Sequence, residues 1–151
     1  VFAMKHAALL WAALTLLLGL TACGGSPSDS TEDSSFSVRI ICEAPDLCQI
    51  FYTYYVDGVS RGSGGVADLN GSALTAESDL TLPFPQSRFE QGDDIALFSI
   101  DFSPYGRDDT AELATTQPIR IAAQYGQHYT VVLSGDREQG FQAVLQEQPP
   151  A

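Results

Sequence analysis

Lysine is almost absent from this chain. Lys5 is the single one, and Lys plus Arg total 7 against 19 Asp plus Glu, for a formal charge of −12. Binding to phosphate backbones needs clusters of Lys and Arg, and no cluster exists, so a nucleic-acid partner is excluded. The acidity fits an exported domain kept in solution by its charge. Histidine is nearly as scarce: beyond the first 22 residues only His128 remains. Ser134 and Asp136 lie close to it in sequence, but a strand would not converge them on the imidazole, and no G-x-S-x-G occurs. A hydrolase triad is therefore not expected. No segment after residue 22 carries an i, i+3, i+4 apolar stripe, which excludes a helical domain. No internal repeat is long enough to suggest a solenoid.

Three cysteines are present, and the first is the most informative. Met4-Lys5-His6 opens a short positive segment, Ala7 to Leu20 is an apolar run, and Leu20-Thr21-Ala22-Cys23 closes it. The layout is that of an export signal, and the run is short of the ~20 residues of a membrane span. Met4 reads as the start, with Val1 to Ala3 upstream of it. The ending resembles the lipobox of bacterial lipoproteins. That resemblance implies diacylglyceryl transfer to the Cys23 sulfur, cleavage after Ala22 and acylation of the new amino terminus. Each buried CH₂ contributes about 0.8 kcal/mol, so two or more chains hold a protein on a membrane with no spanning helix. Gly24 in place of Asp leans toward the outer membrane. Loss of Lys5 with residues 1–22 takes the formal charge from −12 to −13.

Residues 23–35 are the lipid-bearing Cys23 and a Gly, Ser, Asp, Thr and Pro tether, with a reach of ~20 Å. From Phe36 the pattern turns to strands. Phe36, Val38, Ile40 and Cys42 alternate with polar residues, and Gln49 to Val56 is aromatic and β-branched before the turn signal Asp57-Gly58. Gly62 to Gly65 reads as a loop, and Asn70-Gly71 as a second hairpin turn. Leu80 to Phe84, Asp94 to Phe102, Ile119 to Ala123, Tyr129 to Leu133 and Phe141 to Leu145 supply further strands, with one helical turn over Thr110 to Thr116. About seven short strands predict an all-β, antiparallel two-sheet sandwich of immunoglobulin-like type over residues 36–148, with 149–151 as a tail. A domain of this size buries enough surface to fold without a cofactor.

The segments SVRIICEAPD (Ser37 to Asp46), YYVDG (Tyr54 to Gly58), YGQHYTVVLSGD (Tyr125 to Asp136) and FQAVLQ (Phe141 to Gln146) carry a second resemblance. The chain is similar to extracellular bacterial β-sandwich domains of uncharacterised function, which open VRVVHASPDAP…VDVYVDG and close AGxxYTVVATG. Cys42 to Ala44 stands where that family has His-Ala-Ser, and Ala73 to Thr116 has no counterpart. The resemblance implies a fold and an exported location. It brings no catalytic residues.

Several groups are candidate sites. Cys42 and Cys48 form an even pair around Pro45 in an oxidising compartment, so a disulfide is expected, worth about 2 kcal/mol in the chain-entropy model. A zinc site would need a second pair. The doublets Asp93-Asp94 and Asp108-Asp109 sit in Gly-bearing loops, where Asp serves turns, and a two-carboxylate enzyme is disfavoured. Asp101, Asp108 and Asp109 are weak Ca²⁺ candidates, because the order D-x-D-x-D-G is missing. Phe51, Tyr52, Tyr54 and Tyr55 are the best binding surface: Tyr52 and Tyr54 share one strand face, Phe51 and Tyr55 the other, so one pair belongs to the core and the other can meet a sugar or a partner protein. The expected function is a non-catalytic, lipid-anchored envelope lipoprotein, on the periplasmic or surface face of the outer membrane, that recognises an envelope protein or a glycan. The alternative is an accessory module that binds a small ligand or Ca²⁺ for an envelope complex.

Overall fold

The computed structural model of the chain describes residues 34–110 and 113–146. These lie in the unit Thr31–Ala151. The signal segment, the lipobox with Cys23, the tether up to residue 33 and the tail 149–151 lie outside the described residues.

Eight strands follow one another: β1 Ser35–Cys42, β2 Leu47–Val56, β3 Val59–Ala67, β4 Thr81–Pro85, β5 Phe98–Gly106, β6 Ile119–Ile121, β7 His128–Asp136 and β8 Gly140–Gln146. They form two four-stranded sheets, in the orders β4-β1-β7-β8 and β3-β2-β5-β6. The protein is an all-β two-sheet sandwich, with one strand more than the seven or so expected. All pairings are antiparallel except β1 with β7, where Val38 faces Tyr129 and Ile40 faces Val131 in parallel. Two ends result. One carries the β1–β2, β3–β4, β5–β6 and β7–β8 connections; the other carries the β2–β3, β4–β5 and β6–β7 connections and the start of β1. We call them the far end and the entry end.

The alternation in the sequence becomes the two faces of each strand. Phe36, Val38, Ile40 and Cys42 of β1 and Ile50, Tyr52, Tyr54 and Val56 of β2 all point into the core. Toward the entry end Phe36, Phe84 and Phe98 meet pairwise with ring centroids 5.0–5.2 Å apart. Such offset and edge-to-face contacts add to a burial whose loss, for one Phe→Ala, costs about 3–5 kcal/mol. Asp57 (φ 49°) and Gly58 (φ 75°) adopt the left-handed conformation that a two-residue hairpin between β2 and β3 requires.

Several expectations need correction. Residues Gly62 to Gly65 are not a loop but the middle of β3, an edge strand. Asn70-Gly71 closes no hairpin: Asp68 accepts the Asn70 and Ser72 amides in a turn between strands of different sheets. Asp94 to Leu97 precedes β5 as a 3₁₀ turn, because the Asp94 carboxylate accepts the Ala96 amide and stops the extended run. The turn of helix over Thr110 to Thr116 includes residues 111 and 112, which are outside the described residues; beyond them the Leu113 and Thr116 amides bond Pro104 and Phe102 of β5, as an extended segment does. The disulfide is absent, since Cys42 and Cys48 are both free thiols. Cys42 ends β1 inside the core and its thiol donates to the Ala44 carbonyl. Cys48 sits in the opposite sheet, in a bulge where the register of β2 against β5 slips between Leu47 and Gln49.

Candidate functional site

The outer face of the β3-β2-β5-β6 sheet is built from the residues that alternate with the core set. Along β2 these are Gln49, Phe51, Thr53 and Tyr55, standing opposite Tyr105, Ser103, Asp101 and Ser99 of β5. Tyr52 and Tyr54, the other half of the aromatic cluster, are buried. Phe51 is 40% exposed, one of the few large apolar residues left open to solvent. Its ring stands edge-on to Tyr105 with centroids 5.2 Å apart. On its other side lies Gly65 of β3, where an added Cβ would come within 3.0 Å of the ring. Glycine there lets Phe51 stand upright between two strands.

One row further along, Tyr55 reaches diagonally across the sheet and its hydroxyl donates to Asp101 Oδ2 at 2.8 Å. That hydrogen bond to Asp101 raises the tyrosine's pKa, with desolvation and the carboxylate's charge adding to it and Thr53 opposing. Asp101 is only 7% exposed although it faces outward. A buried carboxylate is tolerated where a donor satisfies it, and Tyr55 does so. Thr53 and Ser103 flank this floor, and the Ser103 hydroxyl is 2.8 Å from that of Thr115. The face is thus a strip with Phe51 and Tyr105 at one end, Tyr55 at the other and hydroxyls and a carboxylate between. Sequence reasoning named Phe51 and Tyr55; it missed Tyr105, Thr53 and Ser103, which the strand register places beside them.

The far end holds a second concavity of about 310 Å³, lined by Asp46, Cys48, Ala73, Arg107, Asp108 and Arg137. Its wall is an ion pair. The Arg137 guanidinium, from the β7–β8 turn, donates twice to Asp109, both at 2.9 Å, and the Gly106 amide donates to the same carboxylate. Arg137, opposed by desolvation and aided by that amide, holds the Asp109 carboxyl below its usual range. Gly106 leaves no room for a side chain, because a Cβ would strike Arg137 and Asp109. The three weak calcium candidates are not brought together here. Asp109 is spent on Arg137, Asp101 on Tyr55, and Asp108 lies in the cleft beyond the strand. Among the described residues no three acidic, His or Cys side chains gather as a metal site. The other doublet is likewise divided: Asp93 takes two hydrogen bonds from Arg61, at 2.6 and 2.9 Å, while Asp94 caps the 3₁₀ turn.

His128 meets a serine that sequence proximity did not suggest. Parallel pairing of β1 and β7 sets it opposite Ser37, whose hydroxyl lies 2.7 Å from Nδ1. The pair stands on the open outer face of the first sheet. Among the described residues no carboxylate hydrogen-bonds the imidazole, so the third member that would orient a base is lacking. Ser134 and Asp136 lie six and eight residues along β7 and do not approach it.

No family model matches the chain, and no curated protein matches it. Solved structures of similar shape include wild-type pneumolysin (13% identity, TM-score 0.39), over 77% of this chain and 24% of that one. A disulfide-locked mutant of intermedilysin with human CD59 gives 11% identity and a TM-score of 0.38, over 74% of this chain and 24% of that one. The membrane-binding domain of pneumolysin gives 14% and 0.38, over 77% of this chain and 99% of that domain. The chain spans about a quarter of the two longer chains. Likenesses this slight carry no argument about what the protein does.

Proposed function

We propose that the protein is a non-catalytic lipoprotein of the bacterial cell envelope, held at the outer membrane through lipid on Cys23. Its β-sandwich recognises an envelope component through the outer face of the β3-β2-β5-β6 sheet. The observation that carries the recognition half is Phe51, exposed on that face and braced by Tyr105 while its sequence neighbours Tyr52 and Tyr54 fill the core. Held upright between Tyr105 and the bare backbone of Gly65, that ring offers the face a fixed aromatic contact point. The anchor half rests on Leu20-Thr21-Ala22-Cys23 and the apolar run before it. The acidic surface, with no lysine after Lys5, suits neither nucleic acid nor direct adsorption to anionic lipid.

Mild crosslinking in cells, capture from solubilised envelopes and mass spectrometry test both halves at once. The amino-terminal peptide is expected to begin at Cys23 with a diacylglyceryl mass, and specific capture is expected to fail for Phe51→Ala. A chain that keeps residues 4–22 and an unmodified Cys23 would overturn the anchor. Capture indifferent to Phe51 would overturn the surface.

A further inference from the structure

We infer that the outer strip of the β3-β2-β5-β6 sheet is a binding site for a neutral, hydroxyl-rich glycan, with Phe51 as the stacking platform and Asp101 as the buried carboxylate that positions Tyr55 at the strip's other end. This rests on the proposed recognition role of that face and names its ligand class.

Size argues first. Phe51 is the exposed large apolar residue of the strip, at 40%. On a side chain of this class that is ~80 Å² of open apolar surface. A protein interface draws most of its energy from a central cluster of several large anchors. One braced ring is too little for that, but it matches the apolar face of a single sugar ring. The surroundings agree. Gly65 on the strand beside Phe51 puts up no side chain against an approaching ligand, and its neighbour Ser63 is small. Thr53, Ser103 and Thr115 offer hydroxyls that both donate and accept, as sugar hydroxyls do.

Charge then selects among glycans. Among the described residues Asp101 accepts from Tyr55 and from no other side chain. The carboxylate holds Tyr55 in place and sets a negative charge under the strip, which a neutral sugar tolerates and the added charge of a uronate or phosphate does not. The net negative charge of the chain repels anionic polymers in the same way. Phe51 and Tyr55 are four residues apart on β2, about 13 Å along the strand. A short oligosaccharide laid along β2 would meet one ring at each end and the Thr53–Asp101 row between them.

The test is electrophoresis of the full lipidated chain, in a polyoxyethylene detergent, through native gels containing hydroxyethyl cellulose, galactomannan, glycol chitin or polygalacturonate. The expected result is retardation by at least one of the three neutral polymers and none by polygalacturonate. Phe51→Ala should weaken that retardation about tenfold or more, and Asp101→Asn should weaken it too. Phe51→Leu keeps the apolar contact with Tyr105 but lacks the π-face, and it should lose retardation while melting like the parent. Free migration in all three neutral gels, or retardation that Phe51→Leu leaves unchanged, would overturn the glycan site. Should the parent chain still capture an envelope protein through Phe51, the recognition surface would stand and only its ligand class would fall.

Discussion

Phe51 and Tyr52 are joined by one peptide bond and live in opposite media, and the cysteines show how much such placement decides. Cys42 is buried, and burial raises its thiol pKa, with the bond to the Ala44 carbonyl pulling the other way. Cys48 is half-buried beside the far-end cleft. The thiolate is the reactive form, so iodoacetamide should modify Cys48 first in the folded protein and Cys42 only on unfolding, with rates differing by about tenfold or more. Peptide mapping after timed quenching reads this directly. If neither thiol reacts until a reductant is added, the two are bridged and the free-thiol arrangement is wrong. The spacing Cys42-x₅-Cys48 made a bridge look natural. What the spacing did not reveal is that the intervening Pro45 turn carries the chain from one sheet to the other, with Asp46 in a left-handed conformation (φ 58°). By contrast the split of Phe51/Tyr55 from Tyr52/Tyr54 was legible, because period-two alternation depends on nothing beyond the strand itself.

Elements were legible where each strand carried its own alternation, as β1, β2 and β7 do, and illegible where one strand's side chains are supplied by another. β3 is the case in point. Its inward positions opposite Tyr54 and Tyr52 are Gly62 and Gly64, so its sequence shows no apolar beat and reads as a loop. The missing volume is filled from β2. A Cβ on Gly62 would stand 2.7 Å from the Tyr54 hydroxyl, and one on Gly64 would overlap the Tyr52 hydroxyl and ring. Tyr52 cannot easily swing away, since its hydroxyl is 3.4 Å from Arg88 and its ring meets Phe84 edge-on, centroids 6.2 Å apart. Replacing a strand glycine by alanine ordinarily helps a strand, by relieving backbone entropy. Here overpacking outweighs it, and Gly64→Ala should cost about 1–3 kcal/mol. Urea denaturation of the variant measures this; a gain in stability would mean that Tyr52 repacks freely. The parallel β1–β7 pairing was equally hidden, for alternation says which residues face inward and not which strand lies alongside.

At the scale of the whole molecule, two arginine–aspartate clips tie the sandwich at opposite ends. Arg61 of β3 bonds Asp93 of the β4–β5 connection at the entry end, and Arg137 of the β7–β8 turn bonds Asp109 of the β5–β6 connection at the far end, joining one sheet to the other. The clips matter more in this chain than in a balanced one. The far end also carries Glu43, Asp46, Asp68, Asp79, Asp108 and Glu138, and mutual repulsion there works to splay its loops. Both clip carboxyls are held below the ordinary Asp value, first by the arginine that bonds each one. A carboxyl depressed in the folded state favours folding above its unfolded pKa, near 3.9, and that contribution disappears as the pH falls through the folded value. The difference between parent and Asp109→Asn isolates one clip from the general relief of repulsion that acid brings to both. We expect the variant to melt lower at pH 7, the gap to stay open down to about pH 4, and the two melting curves to merge below it. Calorimetry from pH 7 to pH 2 decides the matter. A gap that persists undiminished at pH 2 would mean that Asp109 stabilises the far end through something other than its charge on Arg137.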